Sequence, residues 1–347
     1  MNPPRRLTIA FLLATPGTTW GGMEQHTADL AGALANRGHR VHVLGHRVYR
    51  EKFPANIGFH PLPVHLGRRN LWLQLALRQC LRRLSPDILH AQGNKAAQLA
   101  GKTKKLARVR VGTVHGTKSS HKAFDRLDRV IAVSPQIFKA LRHLHKHLIY
   151  NGVDITRQLK NPDGGPALPK GNLINVIAAG RLEPVKGFDV LIRAWSRLGQ
   201  SAEDCQLTIF GEGSERKRLE GLIRQSGQEE QIALAGFRQN LAPVYRQAQL
   251  AVISSEREGF PYVLVESLLH GCPVVSTPVS GPRDILPATA LSAGHSDQDL
   301  ADLLSRSLAD LDALNQAEQP AMAFARETLT LEAMVTQTEI LYLEAMA

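Results

Sequence analysis

Cysteine is scarce. Cys80, Cys205 and Cys272 are the three in 347 residues, and no Cys-x-x-Cys occurs. An odd count this widely spaced supports neither a zinc ribbon nor a disulfide framework, and fits a reducing cytoplasm. Long apolar runs are missing as well. No stretch approaches the roughly 18 residues needed to cross a bilayer. Arg5-Arg6 and the apolar residues 7–14 imitate a short signal peptide, but Pro16-Gly17 follows where a small-x-small cleavage site belongs, so a buried first strand is expected. Acidic residues are rare in one half only. Through Lys160 there are 7 Asp+Glu against 27 Lys+Arg, net +20, whereas the remainder has 24 against 15, net −9. The formal charge of +11 therefore joins two unlike halves, and 12 of the 14 histidines also lie before Lys160. At 43% hydrophobic and 21% charged residues the composition is globular, which excludes a disordered or fibrous chain. The length suits two domains of ordinary size.

What is present alternates. Residues 7–14 read as a strand, the loop Trp20-Gly21-Gly22 follows, and residues 23–37 form a helix with Leu30 and Leu34 at helical spacing, stopped by Gly38. Further strands are expected at 41–44, 87–90, 109–115 and 130–133. Asn161-Pro162-Asp163-Gly164-Gly165-Pro166, continuing to Pro169 and Gly171, is the strongest linker signal. The alternation then restarts, with strands at 173–179, 207–210, 232–234, 250–253 and 273–276. Helices are expected at 188–198, 215–225, 241–246, 262–270, 300–314 and 331–343. Such alternation implies parallel sheets covered on both faces. The expected fold is α/β, with two doubly wound Rossmann-like domains at 1–160 and 172–328 joined by a linker at 161–171. A C-terminal helix within 329–347 is expected to cross back to the first domain. Ligands in such folds sit outside the carboxyl ends of strands, here expected in the cleft between the domains.

The most informative stretch is Ser254-Ser255-Glu256-Arg257-Glu258-Gly259-Phe260-Pro261-Tyr262-Val263-Leu264-Val265-Glu266. Pro261 suits the first turn of a helix and Gly271 with Pro273 stops it. Glu258 then lies in the preceding loop and Glu266 about one turn inside. The free N–H groups and the dipole at that end favour an anion. Carboxylates on either side of an anion pocket suit a sugar nucleotide, whose hydroxyls they accept from. A bare spacing of eight would equally serve two surface carboxylates; the surrounding motifs decide against that.

This stretch resembles the Glu-x7-Glu signature of retaining family 4 glycosyltransferases with the GT-B fold. Ala179-Gly180-Arg181-Leu182-Glu183-Pro184-Val185-Lys186-Gly187, Phe210-Gly211-Glu212-Gly213, Gly236-Phe237, Tyr150-Asn151-Gly152-Val153-Asp154, Gly21-Gly22 and Val114-His115-Gly116 resemble family segments in the expected order. The resemblance implies a nucleotide-sugar donor, no tightly bound cofactor and no metal. Arg181 and Lys186 would contact the donor diphosphate, as a forked guanidinium and a point-charge ammonium can. Glu258, with Gly259 and Phe260, would hold the transferred sugar and distal phosphate, and Glu266 the ribose. Leu264 would line the donor site, and Phe237 and Arg238 would meet the base. Gly21 and Gly22 would let backbone approach the phosphates, and His115 would touch the sugar near the reacting centre. A histidine after a strand also serves purely structural roles, and Gly21-Gly22 would equally make a plain turn. With so few acidic residues in the first half, the front-side mechanism implied by the resemblance has the leaving phosphate deprotonate the acceptor. Uridine is favoured over guanosine, and a lipopolysaccharide or surface-polysaccharide acceptor is expected.

Residues 68–84 read as a basic helix. Leu73, Leu77, Cys80, Leu81 and Leu84 share one face, suited to the core. The opposite face sets Leu71, Trp72 and Leu75 among Arg68, Arg82 and Arg83, which suits an anionic lipid surface on the inner face of the cytoplasmic membrane. Burial of Trp72 by a loop or the C-terminal helix is the alternative. Two rivals to glycosyl transfer fit the sequence less well. A sugar-nucleotide epimerase needs acid–base carboxylates that the first half lacks, and a nucleic-acid binder would leave the phosphate motifs unexplained. Asp297-Gln298-Asp299 suits a helix N-cap better than metal; His143, His145 and His147 lack a nearby carboxylate or cysteine for a metal; Gly211-x-Gly213 lacks a dinucleotide fingerprint's third glycine.

Overall fold

A computed structural model describes residues 6–17, 20–117, 120–156, 168 and 173–347. It divides into two compact units: Met1–Gly152 with Leu331–Ala347, and Val153–Thr330. The first holds β1 (Thr8–Leu13), β2 (Arg40–Gly45), β3 (Gly58–Pro61), β4 (Ile88–Gln92), β5 (Val109–Val114), β6 (Arg129–Ala132) and β7 (Lys146–Leu148). They pair in parallel in the order β3-β2-β1-β4-β5-β6-β7. The second holds β8 (Ile174–Ala179), β9 (Cys205–Phe210), β10 (Ile232–Gly236), β11 (Leu250–Ile253) and β12 (Val274–Ser276), again parallel, in the order β10-β9-β8-β11-β12. Each sheet is doubly wound, and chain order reverses at β1/β4 in one and at β8/β11 in the other. A reversal opens a crevice at the carboxyl edge of the sheet, which marks where a ligand is taken.

Central strands are apolar along their whole length because helices cover both faces. Ile9, Phe11 and Leu13 of β1, Val43 of β2 and Val111 of β5 are completely buried in one core. The helix Leu331–Met346 adds Met334, Val335, Leu341 and Tyr342 to that core. Arg37 donates to Glu332 and Glu339, each at 2.5 Å, and His39 Nε2 lies 2.8 Å from Glu339. The chain's last helix is thus a component of the first unit.

Several elements differ from the sequence-based expectation. A helix at 300–314 becomes two, Asp297–Ala309 and Leu311–Thr328, because Asp310 breaks the first and its carboxylate accepts from the Ala313 N–H of the second at 2.8 Å. Pro320 lies inside the second helix, and an interior proline normally argues against one. The helix read at 68–84 starts at Leu71, since the Asn70 side-chain Oδ1 caps it by accepting from Leu73 N–H at 3.2 Å. Arg68 therefore precedes the helix. Ser296, not Asp297, is the N-cap of its helix, with Asp299 completing the capping box. Short edge strands β3 and β7 and the helices Gly93–Ala100 and Pro135–Ala140 had no readable apolar period. The expected linker at 161–171, Leu168 apart, lies outside the described residues.

Candidate active site

In the second unit the loop between β8 and the helix Phe188–Ser196 carries Arg181 and Lys186, and the loop between β11 and the helix Tyr262–Leu269 carries Glu258. These two loops flank the β8/β11 reversal. They are laced together: Glu256 N–H donates to Val185 C=O at 2.9 Å, and Ser254 Oγ donates to Lys186 C=O at 2.9 Å. Gly187 makes this approach possible. Its φ is +64°, and a Cβ there would lie 2.1 Å from the Ser254 carbonyl oxygen. Gly211 does the same one strand along: at φ +150° its Cβ would fall 1.8 Å from Gly180 O. The Gly-x-Gly rejected as a dinucleotide fingerprint is a packing device between strand-end loops.

Lys186 Nζ donates to Glu258 Oε1 at 2.6 Å, and the same oxygen accepts from Ser255 Oγ at 2.7 Å. Both charged side chains are mostly withdrawn from water, at 21% and 13% exposure. Their attraction is therefore stronger than in an open surface pair, of order 4 kcal/mol at an effective dielectric near 20 before desolvation is subtracted. Arg181 is exposed, and its guanidinium bonds no described residue. The loop thus offers one free fork and one ammonium held by a carboxylate.

The helix Tyr262–Leu269 begins at the N-cap Pro261 (φ −70°, ψ 135°), one position outside the first turn where the sequence placed it. Gly271, at φ +75°, ends it, with Cys272 N–H reaching back to Ser267 C=O at 2.9 Å. Gly259 adjoins Glu258 in the loop; Phe260 and Leu264 are buried. Glu266 accepts from Tyr245 OH at 3.2 Å. Tyr245 is itself buried and stacked on His270, with ring centroids 6.3 Å apart. Burial, then the Glu266 charge, hold its phenol well above the ordinary value, so it stays a donor. Phe237 is 69% exposed, while Arg238 lies over the Phe210 ring at 5.2 Å.

In the first unit Gly21 is the N-cap of the helix Gly22–Asn36, and its N–H donates to Glu24 at 3.0 Å. His115 follows β5, with Nε2 2.6 Å from Gln92 Oε1 and its ring edge-on to His26 at 4.7 Å between centroids. Burial first, then His26 and His90, keep His115 well below the ordinary imidazole range. Sequence reading missed Ser255, Tyr245, Glu24, His26 and Gln92. Ser255 adjoins the signature, and Gln92 was lost because β4 was ended at His90, two residues short.

Residues 166–322 match the family "Glycosyl transferases group 1", and residues 20–157 match "Glycosyltransferase Family 4". This chain is a family 4 glycosyltransferase of the GT-B fold. The glycosyltransferase is 26% identical over 279 residues to the lipopolysaccharide core biosynthesis glycosyltransferase LpsE of Rhizobium meliloti, covering 76% of this chain and 77% of LpsE. It is 34% identical over 139 residues to a Campylobacter jejuni N-acetylgalactosaminyltransferase acting on a diphospho-undecaprenol substrate, covering 40% of this chain and 36% of that protein. Among solved structures, sucrose-phosphate synthase from Thermosynechococcus elongatus matches with TM-score 0.81 at 19% identity, covering 98% and 99% of the two chains. HepE from Anabaena, in complex with UDP and glucose, matches at TM-score 0.80 and 21% identity, covering 98% and 100%. These structures share the fold.

Proposed function

We propose that this glycosyltransferase moves a sugar from a UDP-sugar to a hydroxyl of a lipid-linked or polymeric glycan, retaining anomeric configuration, in lipopolysaccharide or surface-polysaccharide assembly. The observation that carries the reading is the Lys186–Glu258 pair at the β8/β11 crevice, beside the N-terminal end of the helix Tyr262–Leu269 and the Arg181 guanidinium, which bonds no described residue. A diphosphate entering that crevice takes up Lys186 and Arg181, and Glu258 is released to accept from sugar hydroxyls. Glu266, aimed by Tyr245, accepts from the ribose. Phe237 and Arg238 flank the base.

In the front-side step the bond from anomeric carbon to phosphate oxygen breaks with its electron pair leaving on UDP. The acceptor oxygen bonds the same face of that carbon, and its proton passes to the leaving phosphate. Two cations and a helix end stabilise the departing charge, and a metal is not needed; addition of EDTA leaves the rate unchanged. UDP is preferred because the HepE relative binds it. A panel of UDP-, GDP- and ADP-linked sugars, read by thermal shift of the full chain, tests the reading. A UDP-sugar is expected to stabilise more than UDP alone, and no response to any nucleotide sugar overturns it.

The acceptor side carries the basic helix Leu71–Leu84. Leu73, Leu77 and Leu81 are buried beneath it, while Leu71, Trp72 and Leu75 are 72%, 76% and 55% exposed. Arg68, Arg82 and Arg83 are exposed around them. No helix among the described residues is long and apolar enough to cross a membrane. Three large apolar side chains amid arginines suit an anionic bilayer surface, which brings the enzyme to a lipid-linked acceptor. Co-sedimentation should show binding to vesicles with phosphatidylglycerol, weak binding to phosphatidylcholine alone, and at least a severalfold loss in Trp72→Ala. Equal binding to both vesicle types, or no loss in the variant, refutes membrane docking.

A further inference from the structure

Aromatic residues make up only 5% of the chain, yet rings gather on one edge of the first sheet. Trp20 lies in the loop after β1, His46 directly follows β2, and His65 lies beyond β3. In parallel strands these positions share the carboxyl edge, on which the β1/β4 reversal opens. Tyr49 joins them from the interior. Its ring centroid lies 5.4 Å from that of Trp20 and 6.4 Å from that of His46, and His46 lies 5.9 Å from His65. Neighbouring strands are about 4.8 Å apart. The row Trp20–Tyr49–His46–His65 therefore steps outward from β1 across β2 to β3.

The row is fixed in place. Gly17 has φ +88°, and a Cβ there would lie 2.2 Å from His46 Nδ1, so glycine lets the loop after β1 close on that ring. The Trp20 indole N–H donates to Gln25 Oε1 at 3.0 Å, and Gln25 Nε2 donates to Asp29 Oδ1 at 2.9 Å. Tyr49 is buried, whereas Trp20 and His46 are partly exposed and His65 is exposed. Core packing accounts for Tyr49. It does not account for rings held at the rim, where Trp20 keeps apolar indole surface in water after its N–H has been bonded inside.

Fixed rings in a row suit a chain of flat units, each with an apolar face. A pyranose has C–H bonds on its faces and hydroxyls round its edge. The C–H face packs on the electron-rich face of an indole, and the hydroxyls reach imidazole nitrogens. The row itself holds no cation and so does not select a phosphate; Arg47 and Arg50 beside it are exposed to water. We infer that this row is an acceptor track. An oligosaccharide lies across the carboxyl ends of β1, β2 and β3, with one sugar on Trp20 and those that follow over His46 and His65. The enzyme then reads more of its acceptor than the sugar it modifies. The inference deepens the glycosyl-transfer reading and rests on it.

Maltotetraose, cellotetraose and chitotetraose are the test probes, with glucose and N-acetylglucosamine as single-sugar controls. Binding is read by calorimetry and by tryptophan fluorescence in a Trp72→Phe background, where Trp195 is completely buried and Trp20 is the tryptophan a ligand can reach. At least one tetrasaccharide should shift the emission and bind about 10-fold tighter than its single sugar, the scale of one further ring contact. Trp20→Ala should lose about 10-fold of that affinity, Trp20→Phe less, and His65→Ala severalfold, with UDP affinity unchanged in all three. Tetrasaccharides that bind no tighter than single sugars, undiminished binding in Trp20→Ala, or a loss of UDP affinity in that variant overturns the inference alone. Absence of any response by wild type to UDP-, GDP- and ADP-sugars overturns the glycosyl-transfer reading beneath it. If Trp20→Ala does not fold, His65→Ala, at an exposed position, carries the same comparison.

Discussion

Glu258→Ala should lower kcat/KM for sugar transfer by about 10²–10³-fold, the scale of losing one preorganised polar contact at a reacting centre. Two effects are combined in that figure and can be separated. Glu258 is the counter-ion of Lys186 at 2.6 Å, so its removal leaves a largely buried ammonium free to bind diphosphate more tightly. It is also the proposed hydroxyl acceptor for the transferred sugar. Glu258→Gln retains an oxygen for Ser255 but cancels the charge. If Glu258 were only a counter-ion, the glutamine variant would bind UDP at least as well as wild type and turn over normally. The expected result is tighter or equal UDP binding together with a kcat reduced at least 10-fold. Steady-state kinetics and UDP calorimetry on both variants give the answer, and near-normal turnover in Glu258→Ala would refute the role assigned to Glu258.

How much of this was legible follows from the physics of each feature. The central strands were readable because burial on both faces forces continuous apolar runs, as in β1 and β11. Edge strand β3 has one half-exposed face and no such run. The residues proposed for the donor site stand out in the sequence because close approach demands glycine and anions favour arginine or lysine, and those constraints fall on consecutive positions. Gly187 and Gly211 belong to that kind. Tyr245 and Gln92 do not: each acts through one distant partner, 21 and 23 residues away. Periodicity carries no trace of such pairs. The exposed face of Trp72 was foreseeable from the helical wheel, but whether another segment covered it required the packed unit.

Glu318→Gln should remove the fall in the second unit's stability between pH 4.5 and about pH 8. Glu318 projects from the helix Leu311–Thr328, is completely buried, and accepts the Val274 N–H at 3.0 and 3.2 Å with its two oxygens. Burial pushes its carboxyl from 4.5 up to about 8, against a smaller lowering by that backbone hydrogen bond. The unfolded chain therefore releases this proton near pH 4.5 while the folded one keeps it to about pH 8. Its stabilising contribution is complete below pH 4.5 and is lost as the pH rises through that window, with a ceiling of about 5 kcal/mol at about 1.4 kcal/mol per pKa unit. The first unit has the opposite sign. Burial lowers His26 to about 4, and His90 and His115 are lowered too, so there stability is present above pH 6.5 and lost toward acid. Glutamine keeps a carbonyl oxygen for Val274 and cannot ionise. Urea unfolding between pH 4.5 and 9 should show Glu318→Gln equal to wild type at the acid end, gaining on it steadily up to about pH 8, and several kcal/mol above it at pH 9. A variant that falls with pH as steeply as wild type would show that Glu318 already ionises freely inside the fold.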